Sequence, residues 1–243
     1  MIRLLLVAIF LLLFFILSIP LYLIEWILGK VRPNWADRSA QFIVKLALRI
    51  IGFLAGVHLT VKGKENLPEN QSVLYIGNHR SFFDVVLTYP QLPGQVGFLG
   101  KIEFKKVPFI NHWMTLLHCL FLDRADIRQG LKTILDAIEL VKSGSSIMIY
   151  PEGTRSKSEK AAELLPFHEG SFKVATKTGC PIVPVSITHT SEVFEDHFPW
   201  IHSADVTLEF GTPLYPSQMS REELKGIGSK VREIIAQTIT ENE

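Results

Sequence analysis

From Leu4 to Leu28 the chain is almost unbroken in apolar residues, interrupted by Ser18, Pro20, Tyr22, Glu25 and the amphipathic Trp26. A helix of that length reaches across a bilayer core, so membrane attachment is the reading the pattern favours. No small-x-small site follows the apolar core, which argues against a cleaved secretory signal. Trp35 to Val57 has a different pattern. Phe42, Ile43, Leu46, Ala47, Ile50, Ile51 and Leu54 recur at helical spacing, with Arg38, Lys45 and Arg49 at polar positions, as in an interfacial helix. Gly29 to Asn34 between them is a basic turn suited to headgroups. Basic residues flank both ends of the first helix, so charge gives no orientation. Pro20 and Glu25 favour shallow insertion, and a spanning helix and a hairpin in one leaflet both stay open.

Beyond this membrane-anchoring two-helix segment, residues 1–57, residues 58–243 have the length of one domain with a sizeable core. Strand signals fall near 58–62, 73–76, 96–99, 119–122, 147–150, 182–187 and 205–210, and helix signals near 81–89, 126–142, 167–178 and 220–238. Their alternation predicts an α/β domain. In the clearest helix Ile127, Leu131, Ile134, Leu135, Ile138 and Val141 share one face ahead of Gly144, which predicts a core-facing stripe.

The apolar run Val73 to Gly77 delivers Asn78-His79-Arg80-Ser81-Phe82-Phe83-Asp84 at a strand's end, with Ser81 as the expected helix cap. A separation of five puts His79 and Asp84 on different faces of a regular helix. They meet only if His79 precedes the cap and folds back over the helix start. A carboxylate on one ring nitrogen fixes the tautomer and leaves the other nitrogen to take a proton from an alcohol, which makes a general-base dyad. A turn histidine and a first-turn acid serving local stability fit the same residues.

Ile147 to Ser156 repeats the design: a buried strand runs into Pro151-Glu152-Gly153-Thr154-Arg155. Gly153 permits close backbone approach, Thr154 offers a hydroxyl and Arg155 a planar fork suited to phosphate. A solvated turn in which Glu152 and Arg155 pair with each other is the alternative. Lys101 and Arg124 follow two further strands and are placed to join Arg155 around an anion. Gly94 to Lys101 superficially resembles a phosphate-binding loop, but its glycine spacing is wrong and Ile102 stands where Ser or Thr is required, which rejects nucleoside triphosphate binding.

Composition narrows the chemistry. A net charge of +1 gives no argument for nucleic acid as a partner. Cys119 and Cys180 lie in no metal-binding or redox spacing and read as reduced thiols on the cytoplasmic side. The eight histidines form no zinc signature, so no metal is expected, and no Gly-x-Ser-x-Gly elbow is present.

Asn78-His79 with Asp84, then Lys101 with Pro108, Asp123-Arg124, Glu152-Gly153-Thr154-Arg155 and Ile182-Val183-Pro184-Val185, in this order and at these distances, resemble the glycerolipid acyltransferase superfamily. The most similar branch is that of the 1-acyl-glycerol-3-phosphate acyltransferases of bacterial size. The resemblance implies a mixed sheet flanked by helices behind a two-helix membrane attachment at the cytoplasmic face of a bacterial inner membrane. It implies that His79 is the general base on a lysophospholipid hydroxyl and that Asp84 orients it. Glu152, Gly153, Thr154 and Arg155 form the acceptor turn, with Arg155 on the phosphate and Lys101 and Arg124 assisting. It also implies acyl-CoA or an acyl carrier protein thioester as co-substrate, with no cofactor. Backbone N–H groups near Phe82 are expected to stabilise the oxyanion. Two departures from the pattern, His168 where a lysine is common and Asn111 where a glycine is common, bear on pocket shape. The leading acceptor is lysophosphatidic acid. Another lysophospholipid, hydrolysis of the thioester by water, and a silent lipid-binding protein are the alternatives.

Overall fold

The computed structural model describes residues 1–243. Two long antiparallel helices open the chain: α1 (Ile2–Val31) and α2 (Pro33–Ala55). Pro33 begins α2, where a missing N–H costs nothing, and Gly56 ends it with φ of 76°. Along α1 the side chains of Ile2, Leu5, Ile9, Leu12, Leu13 and Ile16 are exposed, and the helix is long and apolar enough to cross a bilayer by length and composition.

The rest is built on a seven-stranded sheet: β1 (His58–Lys62), β2 (Leu74–Gly77), β3 (Val96–Lys101), β4 (Leu120–Leu122), β5 (Ser146–Ile149), β6 (Ile182–Thr188) and β7 (Asp205–Phe210). Their order is β1-β7-β6-β2-β5-β3-β4. Only the β6–β7 pair is antiparallel, so the sheet is mixed, and β6, β2, β5, β3 and β4 all end at one edge. The central strands are buried on both faces, as parallel strands between helical layers must be. Along β2, Tyr75 faces one core while Leu74 and Ile76 face the other; Met148 against Ile147 and Ile149 repeats this on β5.

Against the first face pack α1, α2, α3 (Phe83–Thr88) and α4 (Ile110–Leu116), with Val7, Ala40, Ile51, Leu87 and Trp113 in one buried cluster. Against the second pack α5 (Ile127–Lys142), α6 (Lys173–Thr178) and α8 (Ile227–Asn242), the last preceded by the short α7 (Arg221–Lys225). The helix expected at 167–178 is a 3-10 turn, Glu169–Phe172, running into α6, and the one expected at 220–238 breaks at Gly226.

The stripe expected on α5 needs correction. Asp126 caps the helix, its side chain accepting from the Arg128 and Gln129 N–H groups, and Ile138 and Val141 face the core. Ile127, Leu131 and Leu135, one turn apart, are exposed. Helical spacing aligns these residues but does not say that a neighbour covers them.

Candidate active site

β2 and β5 are parallel neighbours, so the segments leaving their ends emerge side by side at one edge. The first carries His79, the second Glu152 to Arg155. Asn78, fully buried, anchors the first: its side chain donates to the Ile187 carbonyl and accepts from the Ile187 N–H, both at 2.9 Å, tying the end of β2 to β6.

His79 precedes α3 and folds back over its start. Its Nδ1 lies 2.8 Å from Asp84 Oδ2. The same oxygen accepts from the Arg80 N–H at 2.7 Å and the Ser81 N–H at 2.8 Å, and Oδ1 accepts from the Thr190 hydroxyl at 2.6 Å. Asp84 is fully buried, with every donor supplied by a neighbour, as a buried carboxylate requires. Surrounded by donors, it is held as an acceptor for Nδ1–H, so Nε2 carries the free lone pair. Nε2 has no partner in the protein, and the side chain is 21% exposed, enough to meet a substrate. The ring stacks on Tyr150, centroids 4.5 Å apart and planes 18° from parallel, which limits its rotation. Burial, reinforced by the nearby Asp84 charge, pushes the Tyr150 hydroxyl well above its usual pKa, so it stays neutral beside the dyad.

The N–H groups at the start of α3 are all engaged, which removes them as oxyanion donors. Those of Arg80 and Ser81 go to Asp84, that of Phe82 to Glu195 Oε1 at 2.9 Å, and that of Phe83 to Ser81 Oγ at 2.9 Å. Phe82 rather than Ser81 occupies the cap position, and Ser81 acts from one residue further back.

Glu152 is a brace between backbones. It is 4% exposed, Oε1 accepts from the His79 N–H at 2.7 Å, and Oε2 accepts from the Leu165 N–H at 2.9 Å. Burial raises its pKa against the lowering effect of these two bonds. With both oxygens engaged, it holds the histidine's backbone rather than meeting a phosphate. It does not pair with Arg155. Gly153 has φ of 74°, and a Cβ there would stand 3.0 Å from His168 Nε2 and 3.7 Å from Arg124 Cζ, so a side chain would crowd those two groups. His168 thus stands beside the turn, and desolvation lowers the Arg124 pKa, with Glu103 opposing. Thr154 is exposed at the turn's tip, and Lys101 is exposed at the end of β3.

Arg155 turns towards an element that gave no sequence signal. Its guanidinium lies over the Phe82 ring, 4.0 Å from the centroid, and Nη1 bonds Glu195 at 2.7 Å. Glu195 also accepts from the Ser81 hydroxyl at 2.5 Å. It therefore links the segments after β2 and β5 through the loop after β6, leaving the other guanidinium N–H groups free. Among His, Cys, Asp and Glu side chains, no group of three or more converges to hold a metal ion.

Known proteins resemble this chain over most of its length. The chain is 27% identical over 202 residues to the 1-acyl-sn-glycerol-3-phosphate acyltransferase of Borreliella burgdorferi, covering 83% of this chain and 80% of that protein. It is 29% identical over 230 residues to the protein of the same name from Escherichia coli, covering 93% and 91%. The fold matches the crystal structure of the 1-acyl-sn-glycerophosphate acyltransferase from Thermotoga maritima with a TM-score of 0.83 at 24% identity, over 98% of this chain and 94% of that one. The model of the Acyltransferase family matches residues 58–188, more than half of the sequence and the stretch that holds both His79 and Arg155, and the chain belongs to that family.

Proposed function

We propose that the protein transfers a fatty acyl group from a thioester, on coenzyme A or acyl carrier protein, to the free hydroxyl of lysophosphatidic acid, giving phosphatidic acid. The observation that carries this is the dyad: Nδ1 of His79 held 2.8 Å from a buried carboxylate, with Nε2 unpartnered on a partly exposed ring.

The acceptor hydroxyl gives its proton to His79 Nε2 as its oxygen attacks the thioester carbonyl carbon. Asp84 stabilises the imidazolium that forms. The tetrahedral intermediate collapses, the carbon–sulfur bond breaks, and the departing thiolate takes the proton back from Nε2. Atoms and charge balance with no covalent enzyme intermediate. Arg155, fixed by Phe82 and Glu195, offers its free N–H groups to the acceptor phosphate, with Arg124 and Lys101 adding positive charge. Gly153 keeps the turn open for that approach. Attachment through α1 and α2 to the cytoplasmic face of the membrane keeps the enzyme where both lipids reside.

Labelled acyl-CoA and labelled acyl carrier protein thioester, each offered with lysophosphatidic acid, lysophosphatidylglycerol or no acceptor in proteoliposomes, test the reading. Phosphatidic acid formed from the first acceptor and not the second is the expected result. Free fatty acid released at the same rate with or without acceptor identifies a hydrolase instead.

A further inference from the structure

The segment between β6 and β7 has a second side. Its inner side carries Thr190 and Glu195 to the site, while its outer side holds Phe198 at 73% and Trp200 at 42% exposure. The tip is ordered by its own contacts: Phe194 meets Phe198 edge to face with centroids 5.5 Å apart, the Trp200 N–H donates to the His197 carbonyl at 2.8 Å, and the rings of His197 and His202 stack at 4.1 Å. The loop, held by these contacts, thus presents two aromatic side chains to the outside. Phe82, beside the catalytic histidine, is also half exposed.

This loop shares an edge of the molecule with the first turns of α1. The Arg3 guanidinium lies against Gly56, and two residues further on the His58 N–H donates to the carbonyl of Ala204, at the end of the loop. Ile2, Leu5, Leu6 and Ile9 are exposed on those turns. Apolar side chains are therefore exposed both at the start of α1 and on the loop at the mouth of the site. Scattered exposed aromatics need no explanation, but two on one braced loop beside an apolar helix do.

We propose that the Phe194–Trp200 loop is a second membrane contact, with Phe198 and Trp200 seated in the interfacial layer of the leaflet that the start of α1 enters, so that the mouth of the site faces the lipid. This rests on the membrane attachment proposed above. Trp and Phe suit that layer, where the amphipathic indole ring is favoured. The loop carries the acids Glu195 and Asp196 and no lysine or arginine, so it has no cationic patch. Apolar burial rather than attraction to anionic headgroups holds it, and the contact persists in high salt.

The test places a fluorophore at one position. Cys119 and Cys180 are buried, so a single exposed cysteine is labelled selectively in the full chain. Phe198→Cys, and Ile16→Cys on α1 as a reference, carry an environment-sensitive dye in proteoliposomes with and without lipids spin-labelled near the headgroup or deep in the acyl chain. At position 198 we expect a blue shift and at least twofold quenching, stronger from the shallow label and unchanged by salt. Quenching at position 16 without any at 198 overturns the loop contact and leaves the attachment standing. No quenching at either position removes the attachment and the loop contact together. A blue shift at 198 that grows with protein density and is not quenched by lipid means a second copy covers the loop, which also overturns the proposal. In a second measurement, Phe198→Ser/Trp200→Ser lowers kcat/KM about tenfold for an acceptor in vesicles, in a folded protein whose activity on a short-chain soluble acceptor is unchanged. Equal loss on both acceptors also contradicts the contact.

Discussion

Replacing Asp84 with asparagine separates the charge of the dyad from its geometry. Oδ2 accepts from two backbone N–H groups and from His79, and only a carbonyl oxygen fits there. The amide nitrogen of the substituted side chain must therefore face Thr190, whose hydroxyl turns from donor to acceptor. The imidazole tautomer survives, and the loss is electrostatic. Two unit charges about 4 Å apart at an effective dielectric of about 20 interact by about 4 kcal/mol. If roughly two thirds of the imidazolium charge has developed at the transition state, the barrier rises by about 2.7 kcal/mol, on the order of a hundredfold in kcat. Four charge-assisted hydrogen bonds become neutral ones, each weaker by about 1 kcal/mol, so the protein melts lower but folds. The assay is kcat for acyl transfer in proteoliposomes beside thermal unfolding, with nitrogen NMR of the His79 ring. We expect the hundredfold loss with Nδ1 still protonated, and a double variant with His79→Ala no slower than His79→Ala alone. A folded Asp84→Asn protein within about threefold of wild-type kcat would refute the dyad.

Glu195→Ala removes the anchor of Arg155 and leaves the Phe82 N–H unpartnered; KM for a phosphorylated acceptor rises about tenfold with the donor KM unchanged, and a parallel rise in both counts against this assignment. Glu152→Gln presents a donor to either the His79 or the Leu165 N–H, costing about 1–3 kcal/mol, read as a melting temperature several degrees lower; an unchanged melting temperature denies the brace. Burial, with Arg49 close by, holds the Lys45 pKa at about 8. Between about pH 8 and the usual lysine value the unfolded chain binds more protons at this position, so Lys45 makes stability rise with pH there. The unfolding free energy of wild type minus that of Lys45→Met should increase across that window, and a flat difference would mean the ammonium is not desolvated.

The order of the blocks made the site legible in the sequence. Strand patterns near 73–76 and 147–150 mark where His79 and Arg155 emerge, and the spacing of His79 and Asp84 requires the fold-back that the structure shows. What escaped were groups whose role depends on distant pairing. Thr190 meets Asp84 across 106 residues and Glu195 meets Ser81 across 114, and no local pattern distinguishes either from an ordinary loop residue. Tyr150 read as the end of a strand, and its stacking on His79 follows from β2 and β5 being neighbours, an order set by long-range pairing. The α5 stripe is only partly buried for the converse reason: periodicity reports which side chains align, and burial depends on what lies opposite. α4 was missed because it is short and mixes polar with apolar residues.

Single-turnover acyl transfer by wild type and His79→Ala in the same proteoliposomes shows whether His79 takes the acceptor's proton. We expect a fall on the order of a hundredfold or more in the transfer step in a protein that still folds, its melting temperature lowered by the loss of the bond to Asp84 and of the stacking on Tyr150. Transfer by folded His79→Ala within a few-fold of wild type would contradict it.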